Sequence, residues 1–185
     1  VQTCALPIWM TSLNRIQSRV SGCALYSSDN MLVCAPTGAG KTNVAVLTML
    51  HEVGLHVRPD GSVDRGKFKI VYIAPMKALV AEMVGNFQKR FQDFGLKVSE
   101  LTGDMGLTRY QLKDTDIIVS TPEKWDIVMR KTRNKSFTQL VKLVIIDEVH
   151  LLNDDRGPVI EVRARLRRLA MATVKALAQI GRAHV

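Results

Sequence analysis

The chain has 185 residues, 46% hydrophobic and 23% charged, with 26 Lys plus Arg against 17 Asp plus Glu and a formal net charge of +9. That length holds one compact domain or a piece of a larger one, and no run approaches the roughly 18 to 20 apolar residues of a membrane-spanning helix, so no membrane partner is expected. Cys4, Cys23 and Cys34 form neither a paired zinc pattern nor an even disulfide framework, and the opening residues lack a secretory signal's basic head, which makes an intracellular location the default.

In chain order, residues 13–26 read as an entry helix, and Met31 to Ala35 as the first of five short apolar strands. Lys41 to Val53 has helical composition. Gly54 to Gly66, with Pro59, Asp60, Gly61 and Ser62, reads as an exposed hairpin or loop. Lys69 to Ala74 is the second strand, and Lys77 to Phe94 a helix whose Leu79, Met83, Phe87 and Phe91 recur at spacings of four. Leu96 to Leu101 and Asp116 to Ser120 follow as strands. Thr121-Pro122-Glu123 then opens a helix through Met129, because Thr caps free amides, Pro has none to satisfy and Glu favours the positive end. Lys131 to Lys135 is basic and solvated, Leu140 to Ile146 is the fifth strand, and Asp154 to Pro158 breaks the chain before a helical stretch from Val159. Near-continuous runs such as Ile70-Val71-Tyr72-Ile73 and Leu143-Val144-Ile145-Ile146 imply strands covered on both faces, so the fold class is α/β with a mostly parallel sheet.

Two elements carry chemistry. Ala35-Pro36-Thr37-Gly38-Ala39-Gly40-Lys41-Thr42 stands between a strand and a helix. Gly38 and Gly40 permit a tight turn around phosphate oxygens, Thr37 and Ala39 add backbone to the cradle, Lys41 reaches the β and γ phosphates, and the Thr42 hydroxyl completes a magnesium shell. At the end of the fifth strand, Asp147 suits the metal and Glu148 suits orienting and deprotonating an attacking water. Lys41, Asp147 and Glu148 are thus the catalytic candidates, with Mg2+ and either ATP or GTP as cofactors.

Further motifs occur in order: Ala74-Pro75-Met76-Lys77-Ala78-Leu79, Leu101-Thr102-Gly103-Asp104, Ser120-Thr121-Pro122-Glu123-Lys124-Trp125-Asp126 and Asp147-Glu148-Val149-His150. With the phosphate loop they resemble the motifs of superfamily 2 DExH-type helicases. Leu13-Asn14-Arg15-Ile16-Gln17-Ser18 and His150 to Val159 resemble the large two-cassette, Sec63-domain-containing group. The resemblance implies a three-layer RecA-like lobe over residues 12–169, flanked by residues 1–11 and 170–185, which lack the family pattern and are expected to be non-native. It implies ATP as the nucleotide, Gln17 as an adenine contact, and Pro75, Lys77, Thr102, Gly103, Thr121 and Pro122 as contacts along single-stranded or partly duplex nucleic acid. His150 would couple the nucleotide site to strand separation. The implied activity is ATP-dependent unwinding with 3'-to-5' translocation, in the nucleus and also the cytoplasm, within a larger ribonucleoprotein or a DNA-repair or ribosome-associated complex. The alternative is a nucleotide-dependent protein-interaction module without unwinding.

Other residues have plainer readings. Trp125 fits burial against the sheet better than base stacking, and Phe87, Phe91 and Phe94 fit helix packing. Six of the basic residues lie in 162–185, which holds no acidic one, so residues 1–161 carry only +3 and the headline charge says little about nucleic acid. The family needs a second RecA-like lobe as partner, absent from this sequence. It also places a Ser-Ala-Thr strand between the phosphate-loop strand and the one ending in Asp147. No such motif follows Arg168, so the lobe is expected to be truncated before its last strands, marginally stable, weak in ATP binding and inactive alone.

Overall fold

The computed structural model describes residues 12–101, 109–131, 135–148 and 173–179. Helix α1 (Arg15–Tyr26) precedes strand β1 (Met31–Ala35) and helix α2 (Lys41–Gly54). Strand β2 (Lys69–Ile73), helix α3 (Lys77–Phe91), a single 3₁₀ turn, strand β3 (Val98–Leu101), helix α4 (Arg109–Asp114) and strand β4 (Ile117–Ser120) follow. Helices α5 (Pro122–Lys131) and α6 (Lys135–Leu140) lead to strand β5 (Val141–Ile146), and strand β6 (Thr173–Gln179) completes the sheet.

All six strands are parallel, in the order β1-β6-β5-β2-β4-β3. Alternation along β2 divides the core. Ile70 and Tyr72 join Val44, Leu47, Phe87, Phe91 and Ile145 on one face, while Val71 and Ile73 join Ile118, Trp125, Phe137 and Val144 on the other. Each fully buried side chain of this size is worth about 1.5 to 3 kcal/mol, so both apolar layers hold the sheet. The three-layer α/β expectation is met. Trp125 is buried beside Phe137, and Phe87 and Phe91 are fully buried.

The hairpin over 54–66 takes the form of a Val57–Val63 antiparallel bridge, closed by hydrogen bonds from Arg58 to Ser62 and from Gly61 to Arg58, with Gly61 at φ 82°. Helices α4 and α6 were not foreseen; each has only six residues, too few to repeat a helical pattern. The helix expected from Val159 begins outside the described residues.

One expectation is corrected. The place between β1 and β5, anticipated as empty, holds β6, whose residues 175–179 pair with Met31–Ala35 and 173–176 with Leu143–Ile146. The reading followed a side-chain motif, whereas the position demands a run of backbone donors and acceptors. Its Ala, Lys and Gln content favours helix over strand, and pairing on both sides overrides that preference. Lys175, buried at the centre of β6, extends its ammonium to the carbonyls of Ser27 and Asp29, and burial lowers its pKa.

Candidate nucleotide and helicase-motif site

Because the strands run parallel, everything that follows a strand lies on one rim of the sheet, where ligands of open α/β sheets bind. The phosphate loop leaves β1, Asp147 and Glu148 leave β5, Pro75 to Lys77 leave β2, and Thr121 and Pro122 leave β4.

In the phosphate loop, Gly38 and Gly40 have φ of 77° and 81°, left-handed values that L side chains rarely adopt. Gly40 caps α2, and its carbonyl accepts from Asn43 N at 3.0 Å and Val44 N at 3.3 Å. The Lys41 ammonium donates to the carbonyls of Ala35 (3.1 Å) and Pro36 (3.3 Å) and lies 3.5 Å from Glu148 Oε1, so one side chain ties the loop to the end of β5 across β6. Thr37 and Gly38 are exposed, while Ala39 and Thr42 are half-buried at the loop's end and the first turn of α2.

Gln17 lies against this loop from outside. It forms a reciprocal capping box with Asn14: Gln17 N donates to Asn14 Oδ1 at 2.9 Å and Asn14 N donates to Gln17 Oε1 at 3.0 Å. The remaining amide donors turn to the loop, Gln17 Nε2 to the Gly40 carbonyl (3.3 Å) and Asn14 Nδ2 to the Ala39 carbonyl (3.0 Å). A Cβ added to Gly40 would fall 2.2 Å from Gln17 Nε2, so any larger residue would displace that amide as well as strain the left-handed φ. Gln17 is buried, its Oε1 accepting from the Asn14 amide and its Nε2 donating to the Gly40 carbonyl. Asn14 was not singled out in the sequence, although Asn-x-x-Gln ahead of a helix is a capping signature.

Asp147 is anchored to β2 twice. Its amide donates to the Ile73 carbonyl at 2.9 Å, and its Oδ2 accepts from the Tyr72 hydroxyl at 2.5 Å. Burial raises the Asp147 pKa, the Tyr72 hydrogen bond opposes that shift, and the neighbouring Glu148 adds to it. Tyr72 is itself pushed well up, first by burial and then by the Asp147 charge, so it stays a donor. Glu148 N donates to Asp147 Oδ1 at 2.9 Å, and Glu148 has φ 48°, the one positive value among the described non-glycine residues. A magnesium ion fits this donor set: Thr42 and Asp147 offer hard oxygens, and Asp147 carries a buried negative charge that a cation would favour. Tyr72 was missed because a tyrosine in an apolar strand reads as core.

Of the other candidates, Lys77 and Met76 are exposed, Pro75 is half-buried, and Thr121 and Pro122 are buried where β4 turns into α5. Thr102, Gly103 and His150 lie outside the described residues. Arg130 pairs with Asp126 at 2.7 Å and His56 with Glu52 at 3.0 Å, which gives both basic groups local partners. Among the described residues, no helix is long and apolar enough to cross a membrane.

The model of the DEAD/DEAH box helicase family matches residues 14–179, from the capping box through the last residue of β6. The chain belongs to that family. It is 54% identical over 95% of its length to the Arabidopsis thaliana DExH-box ATP-dependent RNA helicase DExH13, covering 8% of that protein. It is 61% identical over 81% of its length to the Drosophila melanogaster U5 small nuclear ribonucleoprotein 200 kDa helicase, covering 7% of it. To a Dictyostelium discoideum activating signal cointegrator 1 complex subunit 3-like protein it is 55% identical over 92%, covering 8%. The first of these relatives carries in its name the DExH group that the motifs resembled, and the chain spans less than a tenth of the length of each. In this family member the glycine-rich loop and the acidic pair leave β1 and β5, and the remaining described motifs leave β2 and β4.

Proposed function

We propose that this chain is the ATP-binding portion of an ATP-dependent nucleic-acid helicase, a first RecA-like lobe that couples magnesium-dependent ATP hydrolysis to 3'-to-5' translocation along one strand. The observation that carries the reading is the division of the rim. The phosphate loop and the acidic pair leave β1 and β5, while Pro75, Lys77, Thr121 and Pro122 leave the adjoining strands β2 and β4. A nucleotide site and a strand track laid side by side on one sheet can exchange small movements through β2, which lies between β5 and β4.

In this reading the amides at the start of α2 and Lys41 hold the phosphates, Thr42 and Asp147 hold magnesium, and Glu148 orients the attacking water and accepts its proton. Bound magnesium would neutralise charge on the β and γ phosphate oxygens. Lys77, exposed at the start of α3, supplies a phosphate contact, and backbone groups at Pro75 and Thr121 hold the strand without reading bases. Gln17 serves ATP binding by fixing the Gly40 carbonyl, and the second hydrogen on its Nε2 is the donor it would offer adenine.

The second lobe, which completes the ATP site across the cleft, and the larger ribonucleoprotein assembly come from sequence outside this chain. The names of two relatives, an RNA helicase and a small nuclear ribonucleoprotein helicase, favour RNA as the substrate and the nucleus as the location. The test is ATP hydrolysis by the full-length protein carrying this sequence. We expect stimulation by single-stranded RNA and loss of hydrolysis in Lys41→Ala and Glu148→Gln. An intact protein that binds ATP yet neither binds nor unwinds nucleic acid would overturn the reading.

A further inference from the structure

The geometry points to Tyr72 as a positioning residue for the metal-binding carboxylate: its hydroxyl fixes the rotation of Asp147, so that the side chain meets magnesium already oriented. The inference rests on the proposed ATP and magnesium reading of the site and adds a residue that no helicase motif named above contains.

A carboxylate at the end of a strand turns about two side-chain bonds, and each rotamer aims its oxygens differently. Here the rotation is fixed from both sides. Oδ1 accepts from Glu148 N at 2.9 Å, and Oδ2 accepts from Tyr72 Oη at 2.5 Å. The two anchors are unequal in stiffness. Glu148 N belongs to a turn that leaves the strand, whereas Tyr72 is fully buried in β2, paired in register beside Ile145, with its ring edge-on to Phe87 at 5.1 Å. The Asp147 amide also donates to Ile73, so β2 holds both the backbone and the side chain of this one residue. Each carboxylate oxygen has two lone pairs, so a single donor on each leaves acceptor capacity for a cation. Partners that orient a ligating group in this way commonly govern metal affinity by 10- to 100-fold.

A purely structural tyrosine would serve the fold through its ring, and phenylalanine would replace it without consequence for the metal. The deciding measurement is binding of a fluorescent ATP analogue to the full-length protein carrying this sequence, titrated with Mg2+, alongside thermal unfolding. For Tyr72→Phe we expect the Mg2+ concentration at half-saturation to rise about tenfold, with analogue affinity at saturating Mg2+ within about twofold of wild type and an unchanged unfolding midpoint. Phe87→Leu, which loosens the ring's packing and keeps the hydroxyl, should lower the unfolding midpoint and leave the Mg2+ requirement alone. An unshifted Mg2+ requirement in Tyr72→Phe, or an equal shift in Phe87→Leu, overturns the assignment. Failure of the full-length wild-type protein to bind the analogue, or binding indifferent to Lys41→Ala, would instead overturn the ATP-binding reading on which it stands.

Discussion

The two ends of the sheet bury charge in opposite ways. At the amino-terminal ends of β2 and β4, Lys69 and Asp116 are almost completely buried, and Asp116 is closed by partners: Arg65 Nε at 2.7 Å, the Lys97 amide at 2.8 Å and the Lys69 ammonium at 3.7 Å. Lys69 also donates to the carbonyls of Lys113 and Thr115. At the carboxyl-terminal rim, Lys41 is buried and Asp147 and Glu148 are half-buried, and there a non-glycine residue, Glu148, takes a left-handed backbone, whereas left-handed backbone near the other cluster falls on Gly61 and Gly95. The first cluster completes a fold by tying the 54–66 hairpin, β2 and β4 together. The second holds charges beside the Gly38–Gly40 loop proposed to hold phosphate. Burial alone therefore does not distinguish the two ends; a strained non-glycine backbone beside the buried charge does.

Substitutions at the two ends should separate these roles. The largest effect is expected at the rim: Glu148→Gln should slow ATP hydrolysis by the full-length protein on the order of 10²- to 10⁴-fold, while the chain's unfolding free energy changes by no more than about 1 kcal/mol. A comparable loss of stability would erase the contrast. At the opposite end, Asp116→Ala should cost about 3 to 5 kcal/mol in urea unfolding, because Lys69 is left buried without its counter-charge, and the folded fraction should bind ATP normally. Reduced ATP affinity per folded molecule would show that the two ends are coupled.

A smaller effect is expected where packing and conformation coincide. Gly40→Ala should lose about 1 to 3 kcal/mol through its left-handed φ and its collision with Gln17. Adding Gln17→Ala should return about 0.5 kcal/mol or more of that loss, read from a double-mutant cycle; strict additivity would mean that the amide simply moves aside. The smallest effect concerns Lys69, whose pKa burial lowers below the ordinary lysine value. The unfolded chain then holds this proton to higher pH than the native one, so stability relative to Lys69→Met should rise with pH between the lowered and the ordinary value. A flat difference between the two unfolding curves across that window would refute it.

Much of this division was legible in the sequence. The apolar runs of β2 and β5 announced a sheet covered on both faces, and the glycines, Lys41 and the acidic pair could be placed because a strand precedes each motif. Trp125 and the phenylalanines were correctly assigned to packing. What escaped depended on pairing partners distant in the chain. Strand β6 carries helix-favouring residues and exists as a strand because β1 and β5 flank it. Tyr72 looks like one more apolar residue until parallel register brings it beside the end of β5. The attachment of Gln17 to the Gly40 carbonyl escaped because it depends on a contact 23 residues along the chain.

The left-handed backbone at Glu148 bears on how this protein could be stabilised. A side chain held at φ 48° costs about 1 kcal/mol or more, which glycine would relieve. A screen that rewarded heat resistance alone would therefore favour glycine at position 148 and return a sturdier lobe stripped of its proposed catalytic base. Position 148 is where thermal robustness and chemistry compete for one residue, and a selection for robust variants should hold it fixed.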